Sequence, residues 1–131
     1  MLPGLYALSS KGMKLDLERP RVGMERLGNP QREFPCVLVT GTNGKGSTAA
    51  FLEAILQEAG YKTGLFTSPH LVRYNERVRI DGREIEDAEV ERLLRRVGEA
   101  IYFDFTTGKA TDEEQYLPLT FFEVTTAMAL L

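Results

Sequence analysis

The 131-residue chain has one cysteine, one histidine and no tryptophan. One cysteine excludes an internal disulfide and any multi-cysteine metal site. Cys36 lies in an apolar run and is expected to behave as a small buried hydrophobe. The formal net charge of -3 provides no global basic field of the kind that accompanies nucleic-acid binding. No apolar stretch reaches the ~20 residues a membrane-spanning helix needs. The opening "MLPGLYALSSKGMKL" has no basic leader followed by a long apolar core, so no secretory signal is read there. These absences lead to the expectation of a cytoplasmic chain with neither nucleic-acid nor membrane partner.

Hydrophobic residues make up 43% and charged residues 27%, ordinary proportions for one globular domain with a real core. The apolar end "LPLTFFEVTTAMALL" carries no polar cap or charged tail, and reads as a chain interrupted within a larger structure.

Residues 1–34 read as a helical segment, with Tyr6, Leu15 and Leu17 as scattered apolar anchors and "RPRVGMERLGNP" as a short helix stopped by Gly28 and Pro30. "CVLVT", residues 36–40, has the continuous β-rich character of a strand buried on both faces. A glycine loop follows, then a helical repeat with Ala50, Leu52, Ile55, Leu56 and Ala59, then a second apolar run over 63–67. Strand, loop, helix and strand compose a βαβ unit, which implies a right-handed crossover into a parallel sheet. "ERVRIDGREIE" alternates around Asp81-Gly82 and predicts a β-hairpin. "DAEVERLLRRVGEAI" places Val90, Leu93, Leu94 and Val97 on one face of an amphipathic helix. "FTTGKATDEEQYLP" reads as a mobile polar connector before a last helix opened by Pro118 and Thr120. The division expected is a helical segment over 1–34 and part of an α/β domain over 35–131.

The loop "TGTNGKGST" carries the chemistry. A loop that leaves a buried strand and enters a helix points several backbone N–H groups at one place, and the helix dipole adds about half a positive charge. Lys45 supplies a point charge for terminal phosphates, and the hydroxyls of Ser47 or Thr48 can reach a magnesium ion. Thr42, Asn43, Gly44, Lys45, Gly46, Ser47 and Thr48 are the candidate nucleotide-binding residues, with Lys45 in the catalytic role. The spacing departs from G-x-x-x-x-G-K-S/T, because Val39 occupies the first glycine position and Gly46 separates the lysine from Ser47. G-x-G-x-x-G is absent, so a nucleoside triphosphate is favoured over a dinucleotide.

"GTNGKGST" closely resembles the loop of the Mur ligase superfamily, and a glycine directly after the lysine is characteristic of its folylpolyglutamate synthase and dihydrofolate synthase branch. "TSPHLVRYNERVRIDGREI", residues 67–85, resembles the signature of that branch, and "SSKGMKLDLERP" and "LTFFEVTTAMAL" resemble flanking segments of it. The resemblance implies a P-loop α/β domain with a parallel sheet and flanking helices, here incomplete, plus a small β-hairpin. It implies ATP-dependent amide formation between L-glutamate and a folate or dihydropteroate, with Mg2+ as the metal, in an enzyme that is monomeric at full length. It further implies Ser68, with Ser47, as magnesium ligands, and His70 and Arg77 near the folate site. Over Thr120, Phe121, Phe122 and Glu123 it implies a lining of the pteroate pocket, although Thr120 and Glu123 also compose a helix capping box by themselves. The family's remaining magnesium ligands and its glutamate-binding domain are expected beyond Leu131. An inactive nucleotide-binding fragment, another Mur-type amino-acid ligase and, more distantly, a small-molecule kinase are the competing expectations.

Overall fold

The computed structural model describes residues 1–11 and 16–131. Residues 12–15, which include Leu15 and part of "SSKGMKLDLERP", lie outside the described residues. The chain divides into two compact units, one of residues 1–35 with 90–131 and one of residues 36–89.

The first unit contains α1 (Leu2–Ala7), a 3-10 turn over Leu8–Lys11, α2 (Glu18–Arg26), most of α4 (Asp87–Ile101), a two-stranded hairpin and α5 (Phe121–Leu130). α2 ends as expected, with Gly28 at φ +84° and Asn29 at φ +57° before Pro30. The apolar stripe of α4 is buried through Val90, Leu93, Leu94, Val97 and Ile101. Burial of such side chains stabilises by about 1.5–3 kcal/mol each. Two glycines let backbones meet: a Cβ on Gly98 of α4 would collide with the carbonyl of Phe103, and one on Gly4 of α1 with the carbonyl of Phe105.

The segment expected to be a mobile connector is instead ordered. β4 (Phe103–Asp104) pairs antiparallel with β5 (Lys109–Ala110), and Phe105 is fully buried. Phe103 packs against Phe105 and Tyr116 with centroids 5.0 and 5.4 Å apart. Asp104 closes the turn by accepting the Thr106 N–H at 2.7 Å and the Thr107 hydroxyl at 3.0 Å. Three aromatics and an aspartate turn carry the order here, and neither yields a periodic signal.

The second unit contains α3 (Lys45–Glu58) and one antiparallel sheet in the order β1 (Gly64–Phe66), β2 (Val78–Ile80), β3 (Arg83–Glu84). The Asp81-Gly82 hairpin forms where expected, with φ of +48° and +78° as a type I′ turn requires. β1 pairs antiparallel with β2, Leu65 opposite Arg79.

Residues 36–40 form no strand, and Cys36 is exposed rather than buried. The reason is pairing: a strand of the buried parallel kind needs ladder partners and a cover on each face, and no described strand pairs with 36–40. Val37 and Leu38 are 70% and 89% exposed in consequence, and Phe51 and Ile55 on α3 are likewise open. Only Glu53 of α3 is buried, so the helix is correct in position while its apolar face stays uncovered. Leu17 is also exposed, and Leu5 and Leu8 anchor the N-terminal segment in its place.

Candidate functional site

The glycine loop opens α3. Gly44 is the N-cap with φ +77°, a left-handed conformation that glycine adopts without a Cβ penalty. The first helical hydrogen bond runs from the Thr48 N–H to the Gly44 carbonyl at 2.9 Å. The N–H groups of Lys45, Gly46 and Ser47 therefore have no acceptor within the helix. No acidic residue occupies the first turn, so no carboxylate of the helix itself offsets the positive end of the dipole. Neither Gly44 nor Gly46 has any atom within 4 Å of an added Cβ, so the mouth of the loop is open. The Lys45 ammonium curls back and donates to the carbonyls of Gly41 at 2.7 Å and Thr42 at 3.4 Å. This set fits an anionic phosphate chain, with Lys45 able to exchange loop carbonyls for phosphate oxygens.

No group of three or more His, Cys, Asp or Glu able to hold a metal occurs among the described residues. A cation here would draw on hydroxyl oxygens, phosphates and water, the ligand mixture that magnesium accepts. Ser47 lies in the first turn of α3, and Ser68 lies two residues past β1 before a cis Ser68-Pro69 bond.

Past Ser68 the chain makes a loop organised by Glu76. Its carboxylate accepts backbone N–H groups from Leu71 at 2.8 Å, Val72 at 2.8 Å and Arg73 at 2.6 Å. The N–H of Leu71, then those of Arg73 and Val72, hold the Glu76 carboxyl down to about 2. Asn75 ties the loop onward, donating to the Ile85 carbonyl at 2.7 Å and to Asp87 at 2.9 Å. The Asn75 amide, with Arg73 beside it, holds the Asp87 carboxyl below its usual range. His70 and Arg77 meet inside this loop: Arg77 Nε donates to His70 Nδ1 at 2.7 Å.

The other candidate group lies on the first unit. Thr120 caps α5, and its side chain and backbone exchange hydrogen bonds with Glu123. Phe121 stacks on Tyr6 with centroids 5.7 Å apart, whereas Phe122 is 55% exposed. Arg19 of α2 faces Glu123 at 3.5 Å, both side chains largely buried. From sequence Tyr6 is read only as an apolar anchor, and Arg19 is not singled out. Arg19 stands within the "LDLERP" segment, which is where a signal for it existed. Glu76 falls within the signature stretch 67–85, but nothing in sequence marks it as the residue that organises the loop.

No family model matches the chain. It is 41% identical over 120 residues to the dihydrofolate synthase/folylpolyglutamate synthase of Bacillus subtilis (strain 168), covering 92% of this chain and 26% of that protein. The structure superposes on Escherichia coli FolC, solved in complex with DHPP and ADP, with TM-score 0.81 and 40% identity, over 98% of this chain and 28% of the other. It also superposes on the bifunctional folylpolyglutamate synthase/dihydrofolate synthase of Yersinia pestis, solved with AMPPNP and a manganese ion, with TM-score 0.80 and 38% identity, over 98% and 28% of the two chains. The chain spans about a quarter of the length of these relatives. Its helices and small antiparallel sheets are a portion of the α/β architecture of FolC. Over nearly all of its own length the chain is thus similar to a portion of the dihydrofolate synthase/folylpolyglutamate synthases.

Proposed function

We propose that the polypeptide carrying this chain is an ATP-dependent ligase that joins L-glutamate to a folate, to dihydropteroate, or to both. The carrying observation is the open, carboxylate-free N-terminus of α3 with Lys45 on its first turn, in a chain whose solved relatives bind ADP and AMPPNP. Residues 42–48 cradle the triphosphate through backbone N–H groups, and Lys45 leaves the Gly41 and Thr42 carbonyls for phosphate oxygens. Magnesium, held by Ser47 and Ser68 hydroxyls with phosphate and water, supplies charge neutralisation. The acceptor carboxylate attacks the γ-phosphorus, ADP departs, and an acyl phosphate results. The amino group of glutamate then attacks the acyl carbon, and phosphate leaves as the amide forms. The work of the protein is positioning and electrostatics, not a covalent nucleophile.

His70 and the stretch Thr120, Phe121, Phe122 and Glu123 contact the acceptor substrate, with the exposed Phe122 ring offered for stacking. Residues 36–40 complete a parallel P-loop sheet when strands of a full-length chain pair with them, which also covers Val37 and Leu38. The partners are small molecules, the localisation is cytoplasmic and the full-length enzyme is a monomer. No described helix is long and apolar enough to cross a membrane.

A second reading is favoured by the exposed face at Val37, Leu38, Phe51 and Ile55 and by the one-quarter span: this chain alone binds nucleotide without turning over. ADP release separates the two. The full-length protein, given ATP, magnesium and glutamate, is expected to release ADP faster when dihydropteroate or tetrahydrofolate is added, while the 131-residue chain binds ATP without release. Stimulation by neither acceptor in the full-length protein sinks the folate assignment.

A further inference from the structure

Arg77, which the sequence resemblance sets near the folate site, lies against His70. Its side chain is buried, at 8% exposure, and its Nε–H is directed at His70 Nδ1 over 2.7 Å. Its guanidinium carbon also sits 6.0 Å from the centre of the Tyr74 ring, and Tyr74 packs edge-on to His70 at 6.2 Å. The imidazole is therefore held on two sides by a charged donor and an aromatic ring. A guanidinium has donors only and keeps its protons at any working pH. The nitrogen it faces must accept. Neutral imidazole carries one N–H, so a proton on Nδ1 would place two donors against each other at 2.7 Å.

We infer that Arg77 is a positioning residue that locks His70 as the Nε2–H tautomer, so that His70 meets its ligand as a hydrogen-bond donor and not as a proton acceptor. The loop around it is built to the same end. Glu76 ties down the backbone of Leu71, Val72 and Arg73, and Thr67 N–H joins the Arg77 carbonyl at 2.9 Å, so Arg77 extends the β1–β2 ladder. The partner of Nε2–H is an anionic oxygen, phosphoryl or carboxylate. A general-base role is closed, because Nδ1 is engaged and Nε2 already carries the proton. This inference rests on the proposed ligand contact of His70, but its structural half is testable without any substrate.

The chain has a single histidine, so a long-range proton–nitrogen correlation spectrum shows one imidazole. At about pH 8.5, well above the ordinary imidazole range, the spectrum is expected to show the proton on Nε2. A proton on Nδ1, or an even mixture, overturns the inference. Arg77→Met is expected to release the imidazole into a mixed tautomer population. Arg77→Lys, which restores a charged donor, returns it toward Nε2–H and guards against a folding defect in the first variant. Identical tautomer populations in all three overturn the role of Arg77. In full-length protein, His70→Leu is expected to lose about ten- to a hundred-fold in turnover, the worth of one hydrogen bond to a charged group. His70→Gln, whose amide donates from a similar place, loses less. Equal losses overturn the donor role, and the phosphoryl and carboxylate sources separate by whether the loss falls on the KM for ATP or for the acceptor. If wild type shows no acceptor-dependent turnover, the proposed function fails while the tautomer result stands.

Discussion

The carboxylate of Glu123 accepts the Thr120 backbone N–H at 2.7 Å, and the Thr120 hydroxyl accepts the Glu123 backbone N–H at 3.3 Å. This reciprocal pair satisfies two donors at the start of α5, and Arg19 approaches the same carboxylate from α2 at 3.5 Å. One side chain thus caps the start of a helix and joins two elements.

Removing the Thr120 hydroxyl by Thr120→Ala is expected to cost about 1 kcal/mol, the usual worth of a threonine N-cap. Arg19→Met is expected to cost about 1–3 kcal/mol, because it strands a largely buried carboxylate. Arg21→Met, which breaks ion pairs to Glu18 and Glu25 with all three side chains more than half exposed, is expected to change stability least of the three, because solvent screens such pairs. Denaturant unfolding of the three variants checks the order. A larger loss in the Arg21 variant than in the Arg19 variant would reverse the assignment of importance.

Glu76 predicts a pH dependence for its loop. Its carboxyl is near 2 in the folded chain against 4.5 ordinarily, so the folded state favours the charged form. The contribution is fully present above the ordinary value and disappears as pH falls from about 4.5 through about 2. The amide resonances of Leu71, Val72 and Arg73 are expected to titrate together with a midpoint near 2. A common midpoint near 4.5 would mean the three hydrogen bonds do not persist in solution.

Lys45→Ala is expected to abolish turnover of the full-length protein and to weaken ATP binding at least tenfold, measured by calorimetry. Lys45→Arg keeps the charge but cannot present it as a compact ammonium, and is expected to recover binding only in part. Binding unchanged in the alanine variant would remove Lys45 from the phosphate site.

Gly98 gives a stability test with a sign opposite to helix propensity. Glycine to alanine inside a helix ordinarily stabilises by about 0.8–1 kcal/mol. In α4 the new methyl would meet the Phe103 carbonyl, so Gly98→Ala is expected to destabilise by about 1–3 kcal/mol through overpacking. A stabilised variant in thermal unfolding would place the hairpin farther from α4 than described.

Much of this was legible in residue order because the deciding interactions are local. The Asp81-Gly82 turn needs two adjacent residues that tolerate positive φ, the Thr120–Glu123 cap needs a spacing of three, and the α4 stripe repeats with the helical turn. Pairing was not legible. The run 36–40 has the composition of a buried strand, yet composition cannot supply the neighbouring strand whose backbone would complete it, and the side chains stay exposed. The same holds for the partners joined across long separations. That Arg19 meets Glu123, that Tyr6 lies on Phe121 and that Phe103 and Phe105 turn a polar connector into a packed hairpin depends on which surfaces the helices bring together. The glycine turn that opens α3 and the likeness to the folate-branch signature were legible in sequence alone, since both lie in residues adjacent along the chain. Only the tertiary structure decided that Arg77 faces His70, because a side chain's donor acquires a role when folding places an acceptor 2.7 Å away.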